Sequence, residues 1–409
     1  MPTLKKTRGK HLMALLAMCG LVATALGIIT NTAGIFFGPI ARDLGLGDNI
    51  TAVSLTLTIN NLVFALAGML VARVITPRGY RRMVALFIAG SVGSTAALAF
   101  CHSLISLYAF SLVRGFAAGM IGNVLATMVI GEWFQSDKGL INSLVLGGSG
   151  IVGALFNPVL ELVIQAAGWR AAYLVAAGVM LALDLPAVLL PIGMRPEDVG
   201  ERALCVQANG GAAAPAARRG AYSDSAAVLL LAVGVTSIAS FVVATPQLFK
   251  SIAGSYGLEQ TGVAMMSAVL VVNTGGKMLL GTLIDRLGVK RSLMIYGAAI
   301  IAGFLLLLLA HFSAAMLLSA ALIGLGYSLP TVGAVMICRE LFSPERYSKV
   351  FPKVNLGTSV ANALGYPLLS AIHGVTGSYD AALILAAALM LVSMVAALVM
   401  YRLADRGVG

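Results

Sequence analysis

The sequence predicts an all-α membrane protein of twelve transmembrane helices, built as two six-helix pseudo-symmetric bundles. Three observations predict it. Hydrophobic residues make up 59% of the 409-residue chain and charged residues 11%, against roughly 45–50% and 25% in soluble globular proteins. Mean hydropathy is +0.96. A particle so poor in charge cannot cover its own surface with polar groups, so lipid must be its main solvent. Disordered, collagen-like and disulfide-stapled secreted classes are excluded on the same figures. Cutting the chain at charge clusters and Gly/Pro breaks gives twelve apolar segments near the ~20 residues that a bilayer core requires. The last six segments repeat features of the first six.

The first segment, 12–38, follows Lys5, Lys6, Arg8 and Lys10 and imitates a signal peptide as far as Ala23-Thr24-Ala25. Its apolar run continues to about Phe37, beyond the roughly 7–15 residues of a cleaved signal, so it is expected to remain as the first helix. The next five fall at 50–72, 83–101, 104–131, 139–166 and 170–193. The second set falls at 226–249, 262–284, 291–311, 314–337, 353–373 and 378–402. Short gaps within the pairs 3–4, 5–6, 9–10 and 11–12 predict antiparallel hairpins. Between the sets lies the one long polar stretch, whose Gln207–Ala217 portion is rich in Ala, Gly and Pro and cannot build a core. The expected organisation is a bundle over 1–194, a cytoplasmic linker over 195–225 and a bundle over 226–409.

Basic residues set the topology. Of the 27 Lys and Arg, 22 fall on the side that holds the N-terminus and three, Arg42, Arg170 and Lys250, on the other. Arg114 and Lys277 lie inside apolar runs. The positive-inside rule puts both termini in the cytoplasm, and the short loops point to a bacterial inner membrane. The net charge of +11 therefore matches loops facing anionic lipid, and no nucleic-acid partner is expected. The four cysteines, Cys19, Cys101, Cys205 and Cys338, show neither paired nor metal-type spacing and read as free thiols.

The halves repeat at an offset of about 210 residues. Glu132-Trp133-Phe134 pairs with Glu340-Leu341-Phe342, Gly147 with Gly357, Pro158 with Pro367, Gly168 with Gly377, and Ala171-Ala172 with Ala381-Ala382. Parallel six-helix repeats place a binding site at mid-membrane and work by alternating access.

Between the eighth and ninth segments runs Gly281-Thr282-Leu283-Ile284-Asp285-Arg286-Leu287-Gly288-Val289-Lys290-Arg291. It resembles the G-x-L-x-D-R-x-G-x-[KR]-[KR] signature of the major facilitator superfamily. The resemblance makes Gly281, Asp285, Arg286, Gly288, Lys290 and Arg291 gate residues. The first-half copy begins Gly68-Met69-Leu70-Val71-Ala72-Arg73 and has Ala72 where the aspartate belongs, so a gate charge cluster is expected only in the second half. Further stretches resemble the monocarboxylate and oxalate–formate porter group. They are Ala33-Gly34-Ile35-Phe36-Phe37-Gly38-Pro39-Ile40, Gly147-Gly148-Ser149-Gly150, Gly168-Trp169-Arg170-Ala171-Ala172-Tyr173 and Arg195-Pro196-Glu197-Asp198-Val199-Gly200. That branch implies small organic anions carried with protons or by exchange.

A charge at mid-membrane costs about 2.5–3.5 kcal/mol on insertion scales and needs a reason. Lys277 lies eight residues before Asp285, roughly 12 Å along the helix, in the setting Asn273-Thr274-Gly275-Gly276. It reads as a receptor for a substrate carboxylate, with Asn273 beside it. The alternative is a structural lysine paired with a carboxylate such as Asp184, or one snorkelling to the cytoplasm. In the resembled oxalate porters, cations on helices 8 and 11 clamp a dianion. Helix 11 here has Lys353 at its expected start and Asn362 and Tyr366 at its middle, which favours a monoanion. Arg114 is a candidate second cation; the alternative is a structural arginine beside a Gly115-x-x-x-Gly119 packing face. Asn31 is expected to line the cavity with Asn362 and Tyr366, and Asn60, Asn61 and Asn123 are weaker candidates. Burial favours a neutral carboxyl, so Glu161 and Asp184 are the proton-coupling candidates. His11, His102, His311 and His373 sit at expected helix ends and read as interfacial.

No Gly-x-Ser-x-Gly, His-Glu-x-x-His or Walker sequence is present, so no enzyme activity, metal or other cofactor is expected. The expected function is secondary active transport of a small organic anion by a monomer. The alternatives are an exporter of hydrophobic compounds and a transport-inactive sensor.

Overall fold

The computed structural model describes residues 2–47, 49–134, 138–203, 225–309 and 311–406, and every regular element among them is helical. Gln207–Ala217, Cys205, Arg218 and Arg219 lie outside the described residues, as do the side chains of Lys5, Lys6, Arg8, Lys138 and Arg406. The chain divides into two compact units, Met1–Gly211 and Ala212–Gly409.

In the first unit α1 comprises Pro2–Val22, a π-helical turn over Ala23–Ile28 and, after irregular hydrogen-bonded turns at 29–33, Gly34–Asp43. α2 is Thr51–Val74, α3 is Tyr80–Leu98, and α4 is Leu104–Ile121 continued by Asn123–Trp133. α5 and α6 share the run Lys138–Leu189, divided where Gly168 adopts φ 82°. Glycine reaches this conformation without the Cβ penalty, so one residue makes the turn between two antiparallel helices.

In the second unit α7 comprises Ala226–Val242, a 3₁₀ turn Thr245–Leu248 and Phe249–Gly254. α8 is Glu259–Leu287 and α9 is Val289–Leu309. α10 comprises Ser313–Gly326, a π-helical turn Leu329–Gly333 and Ala334–Leu341. α11 is Pro344–Thr376 and α12 is Asp380–Arg406.

The twelve expected helices are therefore present among the described residues. Nine stretches are long and apolar enough to cross a membrane on their own, one of them, Leu144–Leu189, holding both α5 and α6. α3 and α11 fall short. α3 is lowered by Arg81 and Arg82 and by small and polar residues such as Gly90, Ser91, Gly93, Ser94 and Thr95, and α11 by polar and small residues in its middle such as Asn355, Gly357, Thr358, Ser359, Asn362 and Tyr366.

Several expected boundaries move. α1 begins at Pro2 rather than 12 and reaches Asp43 rather than 38, α7 reaches Gly254 rather than 249, and α11 begins at Pro344 rather than 353. Lys353 therefore stands in the third turn of α11, exposed, and not at the helix start. Ser343 caps that helix by accepting a hydrogen bond from the Arg346 amide at 3.3 Å, with proline at the first helical position and Glu345 in the first turn.

The repeat is visible in local geometry. Trp133 and Leu341 are buried at the ends of α4 and α10, and Phe134 and Phe342 leave those helices in extended conformation. Gly377 turns between α11 and α12 with φ 73°, as Gly168 does between α5 and α6. Even the contacts of the repeated glutamates correspond. Glu132 lies 3.9 Å from Arg195, just beyond α6, and Glu340 accepts the Tyr401 hydroxyl of α12 at 2.6 Å.

The start of the expected linker is docked on the first unit. Arg195–Gly200 forms a 3₁₀ turn in which the Arg195 amide donates to Asp198 at 2.9 Å. Lys10 bonds the Val199 carbonyl and pairs with Glu201, each at 3.1 Å. His11, expected at an interface, is buried: Nε2 lies 3.1 Å from the Arg202 carbonyl and the ring packs edge-on to Trp133 at 5.2 Å. The tight α1–α4–α6 packing at this end leaves no lipid-facing position for it.

Candidate functional site

The first unit holds an arginine inside its helices. Arg114 is 4% exposed on α4. Glycines bring α4 onto α2, since a Cβ on Gly115 would collide with the Asn60 carbonyl and one on Gly119 with the Phe64 carbonyl. The packing face expected as the structural alternative for this motif is thus real, and the arginine emerges beside it. Its Nε donates to Asn60 Oδ1 at 3.1 Å, and its guanidinium shares a side-chain hydrogen bond with Tyr173 of α6. Asn60 donates in turn to Asn61 Oδ1 at 3.3 Å. Among the described residues of this unit, Arg114 has no acidic partner.

The arginine borders a cavity of ≈ 20 Å³, enough for about one water molecule. Thr32 of α1, Thr56 of α2 and Thr95 of α3 contribute polar atoms to its wall. Each threonine donates its proton to a carbonyl of its own helix, Ile28, Val53 and Ser91 respectively, at 2.6–2.8 Å. The strong donors left facing the space are Arg114 and Tyr173. Sequence reasoning missed Tyr173 as a site residue although its Gly168–Tyr173 stretch was singled out. It also missed the three threonines, which look like ordinary helix residues until five helices assemble around one point.

The other first-unit candidates are placed apart from this cavity. Asn31 donates to the Ser149 carbonyl at 3.4 Å, tying the break in α1 to α5. Asn123 opens the second part of α4 with its Oδ1 unpartnered. Asp184, expected on a peripheral helix, is 0% exposed. Gly20 lets α1 approach the Leu183 carbonyl of α6, and Thr24 of the π turn lies 2.8 Å from Asp184 Oδ1, whose Oδ2 has no partner. Glu161 is buried on α5 and accepts from Gln165 at 3.0 Å. The two carboxyls expected to couple protons are therefore both buried, each held by at least one hydrogen bond.

In the second unit Lys277 and Asn273 lie four residues apart on α8, one turn along the same face. Asn273 is 6% exposed and its Oδ1 has no partner. Lys277 is half-buried, and among the described residues of this unit it makes no ion pair. The intervening Gly276 accepts the Tyr296 hydroxyl of α9 at 2.7 Å and faces Leu325 of α10, which fixes the other side of α8. Asp184, the acid weighed as a partner for Lys277, belongs to the other unit and engages Thr24.

Asn362 and Tyr366 act between α11 and α7. Asn362 donates to the Ser240 carbonyl at 3.1 Å and accepts the Tyr366 hydroxyl at 2.6 Å. Gly365 brings α11 close to Phe241 and Ala244, where α7 breaks. Their polar atoms are therefore engaged within the unit, in contrast to those of Lys277 and Asn273.

The signature at the α8–α9 turn is exposed. Gly288 adopts φ 83° and its amide donates to the Ile284 carbonyl at 2.9 Å, ending α8. Asp285, Arg286 and Arg291 face outward, and Lys290 sits 6.0 Å above the Tyr401 ring. Gly281 has open space where a Cβ would stand. Within its own unit Asp285 makes no ion pair with a described residue.

The Major Facilitator Superfamily profile matches residues 17–275 and 227–408. Human monocarboxylate transporter 1 is 25% identical over 126 residues, 30% of this chain and 25% of that protein, so the chain spans only a quarter of that relative's length in the match. Among solved structures, a mutant of the nucleoside transporter NupG aligns with TM-score 0.72 and 15% identity over 95% of this chain and 100% of that one. A bacterial homologue of the human lysosomal transporter Spinster, inward-facing and unoccupied, aligns with TM-score 0.64 and 16% identity over 98% and 97%. At these identities the solved structures speak for the fold alone.

Proposed function

The chain belongs to the Major Facilitator Superfamily, and on that premise we propose that it is a secondary active transporter of a small organic anion, a monocarboxylate, moved by alternating access with proton symport or anion exchange. One observation carries the reading. Two cations stand inside the apolar helices, Arg114 and Lys277, and neither has an acidic partner among the described residues of its own unit. Burying an uncompensated charge is costly, and a carboxylate that binds there removes the cost. Asn273 supplies an unused acceptor one turn from Lys277, suited to a donor group on the same solute. The partial match to monocarboxylate transporter 1 supports the same chemical class. Asn362 and Tyr366, engaged with α7, shape the wall of the path in this reading, and Asn31 holds α1 to α5.

The protein acts as a monomer in the cell membrane with both termini in the cytoplasm. Orientation is tested by placing one cysteine in 207–217 of the full chain in intact cells. Thiol reagents that cannot cross the membrane are expected to leave it unlabelled until the cells are opened. Labelling from outside would reverse the topology.

The signature turn gives a second test. Asp285 ends α8 at the exposed α8–α9 turn and acts on gating rather than on the anion. Asp285→Asn is therefore expected to slow exchange several-fold while equilibrium affinity for the transported anion changes less than twofold. Loss of binding at an unchanged translocation rate would remove Asp285 from the gate.

A further inference from the structure

Asp184 is wholly buried on α6, and among the described residues its one polar partner is Thr24 of α1. Gly20, one turn before Thr24, lets the two helices meet, since a Cβ there would collide with the Leu183 carbonyl. The Thr24 hydroxyl lies 2.8 Å from Asp184 Oδ1 and 3.0 Å from the Leu21 carbonyl of its own helix. Both are hydrogen-bond distances, yet a hydroxyl carries a single proton, and a carboxylate and a carbonyl can only accept. With Asp184 ionised, Thr24 serves one of the two and faces the other lone pair to lone pair. With Asp184 protonated, both contacts close: the acid donates to Thr24, and Thr24 donates to Leu21. The other carboxyl oxygen points the same way. Asp184 Oδ2 is buried without a partner, which is tolerable for the carbonyl oxygen of a neutral acid but costly for half of a carboxylate charge.

No described cation of the unit pairs with Asp184. On α1, Cys19 stands next to Gly20; Lys10 and His11 bind the Val199–Arg202 segment at its start, and Asp43 pairs with Arg170 at its far end. On α3 the titratable groups are Tyr80, Arg81 and Arg82, and Arg81 donates to the Val188 and Leu189 carbonyls in the last turn of α6. Glu132 of α4 lies beside Arg195. Glu161 of α5 differs from Asp184, because the Gln165 amide that it accepts suits a carboxylate. We propose that Asp184 is the proton site of symport: it holds a proton in this conformation and releases it at the end of α6 that carries Arg81. Leu189, the last residue of α6, is five residues on, about 8 Å along the helix. The inference rests on the reading of the chain as an anion transporter and selects symport over exchange within it. A carboxyl buried this deeply trades its proton with water only when the packing around it opens, which ties proton release to the transport cycle. On release, Thr24 turns its own proton from Leu21 to Asp184.

Infrared spectroscopy and transport, both on the full chain, test the proton and its use separately. Purified protein in lipid nanodiscs at neutral pH is expected to show the carbonyl stretch of a protonated carboxyl, and Asp184→Asn to lose it. Thr24→Val is expected to fold and to keep the band at a shifted frequency, because the acid has lost the acceptor of its proton. An ionised Asp184 would instead lose its only donor, and the yield of folded Thr24→Val would collapse. Absence of the band from both the wild type and Thr24→Val overturns the proton site. Asp184→Asn offers Thr24 an amide donor in place of the acid. In proteoliposomes it is expected to exchange labelled for unlabelled carboxylate at a rate close to that of the wild type. An inward proton gradient, with which the wild type concentrates carboxylate several-fold, is expected to give it no accumulation. Accumulation by Asp184→Asn at the level of the wild type overturns the coupling role. A wild type that shows the band but carries no carboxylate overturns the anion reading, and the coupling role with it, while the proton site stands.

Discussion

Lys277→Ala is expected to leave a folded protein in the membrane that no longer carries carboxylates. The substitution removes a half-buried cation that has no acidic partner among the described residues of its unit, so the apolar helix that remains inserts at least as readily. What disappears is the attraction for the substrate. Losing one partner of a desolvated charge pair costs about 2–5 kcal/mol, a fall of roughly 30-fold or more in uptake at low substrate concentration. Lys277→Arg keeps the charge but presents a planar fork of donors on a bulkier head, so reduced uptake or a shifted substrate size is expected. A structural lysine would behave in the opposite way: alanine would strand a buried carboxylate and lower the yield of folded protein, and neutralising that acid would restore it. Surface-normalised uptake and thermal stability measured on the same preparations separate the two. Stable Lys277→Ala protein with normal uptake ends the receptor assignment.

Gly115→Val is expected to act on the fold rather than on transport, and as strongly. The Cβ of any side chain at 115 would enter the Asn60 carbonyl, and one at 119 the Phe64 carbonyl. Backbone atoms of α2 cannot swing aside as a side-chain tip can, so α4 must separate from α2. Overpacking of this kind costs about 1–3 kcal/mol and sometimes more, and here it also displaces Arg114 from Asn60. The yield of monodisperse protein in detergent and its melting temperature should both fall sharply. Gly93→Ala, in α3 with open space around the built Cβ, is the matched control and should be neutral or slightly stabilising because alanine favours helix. Equal melting temperatures for the two variants would contradict the close α2–α4 approach.

The division of labour between sequence and structure follows from what each residue type reveals by itself. The twelve helices were legible because apolar runs and charge clusters alternate along the chain, and Lys277 and Arg114 because charge inside such a run is conspicuous. The start of α11 was written in Ser343-Pro344-Glu345, a cap, a first-position proline and a first-turn acid, yet charges later in that helix outweigh it in a hydropathy reading. The break in α1 carries no comparable mark: residues 29–33 are Ile-Thr-Asn-Thr-Ala, and Pro39 lies inside the helix that follows. Tyr173 and the threonines around Arg114 come from separate helices and are neutral, so only their packing shows that they share one cavity. Asp184 looked peripheral because nothing in its own helix shows that Gly20 admits α1 so closely against it.

The central claim is that the two cations within the apolar helices await an anion. The most direct test is uptake by proteoliposomes of the purified full chain, using labelled monocarboxylates, dicarboxylates and nucleosides, with and without an imposed proton gradient. Saturable uptake of at least one monocarboxylate, competed by other monocarboxylates and unaffected by nucleosides, is the predicted result. Saturable uptake of a nucleoside or another uncharged solute, with no carboxylate transported or competing, would contradict it.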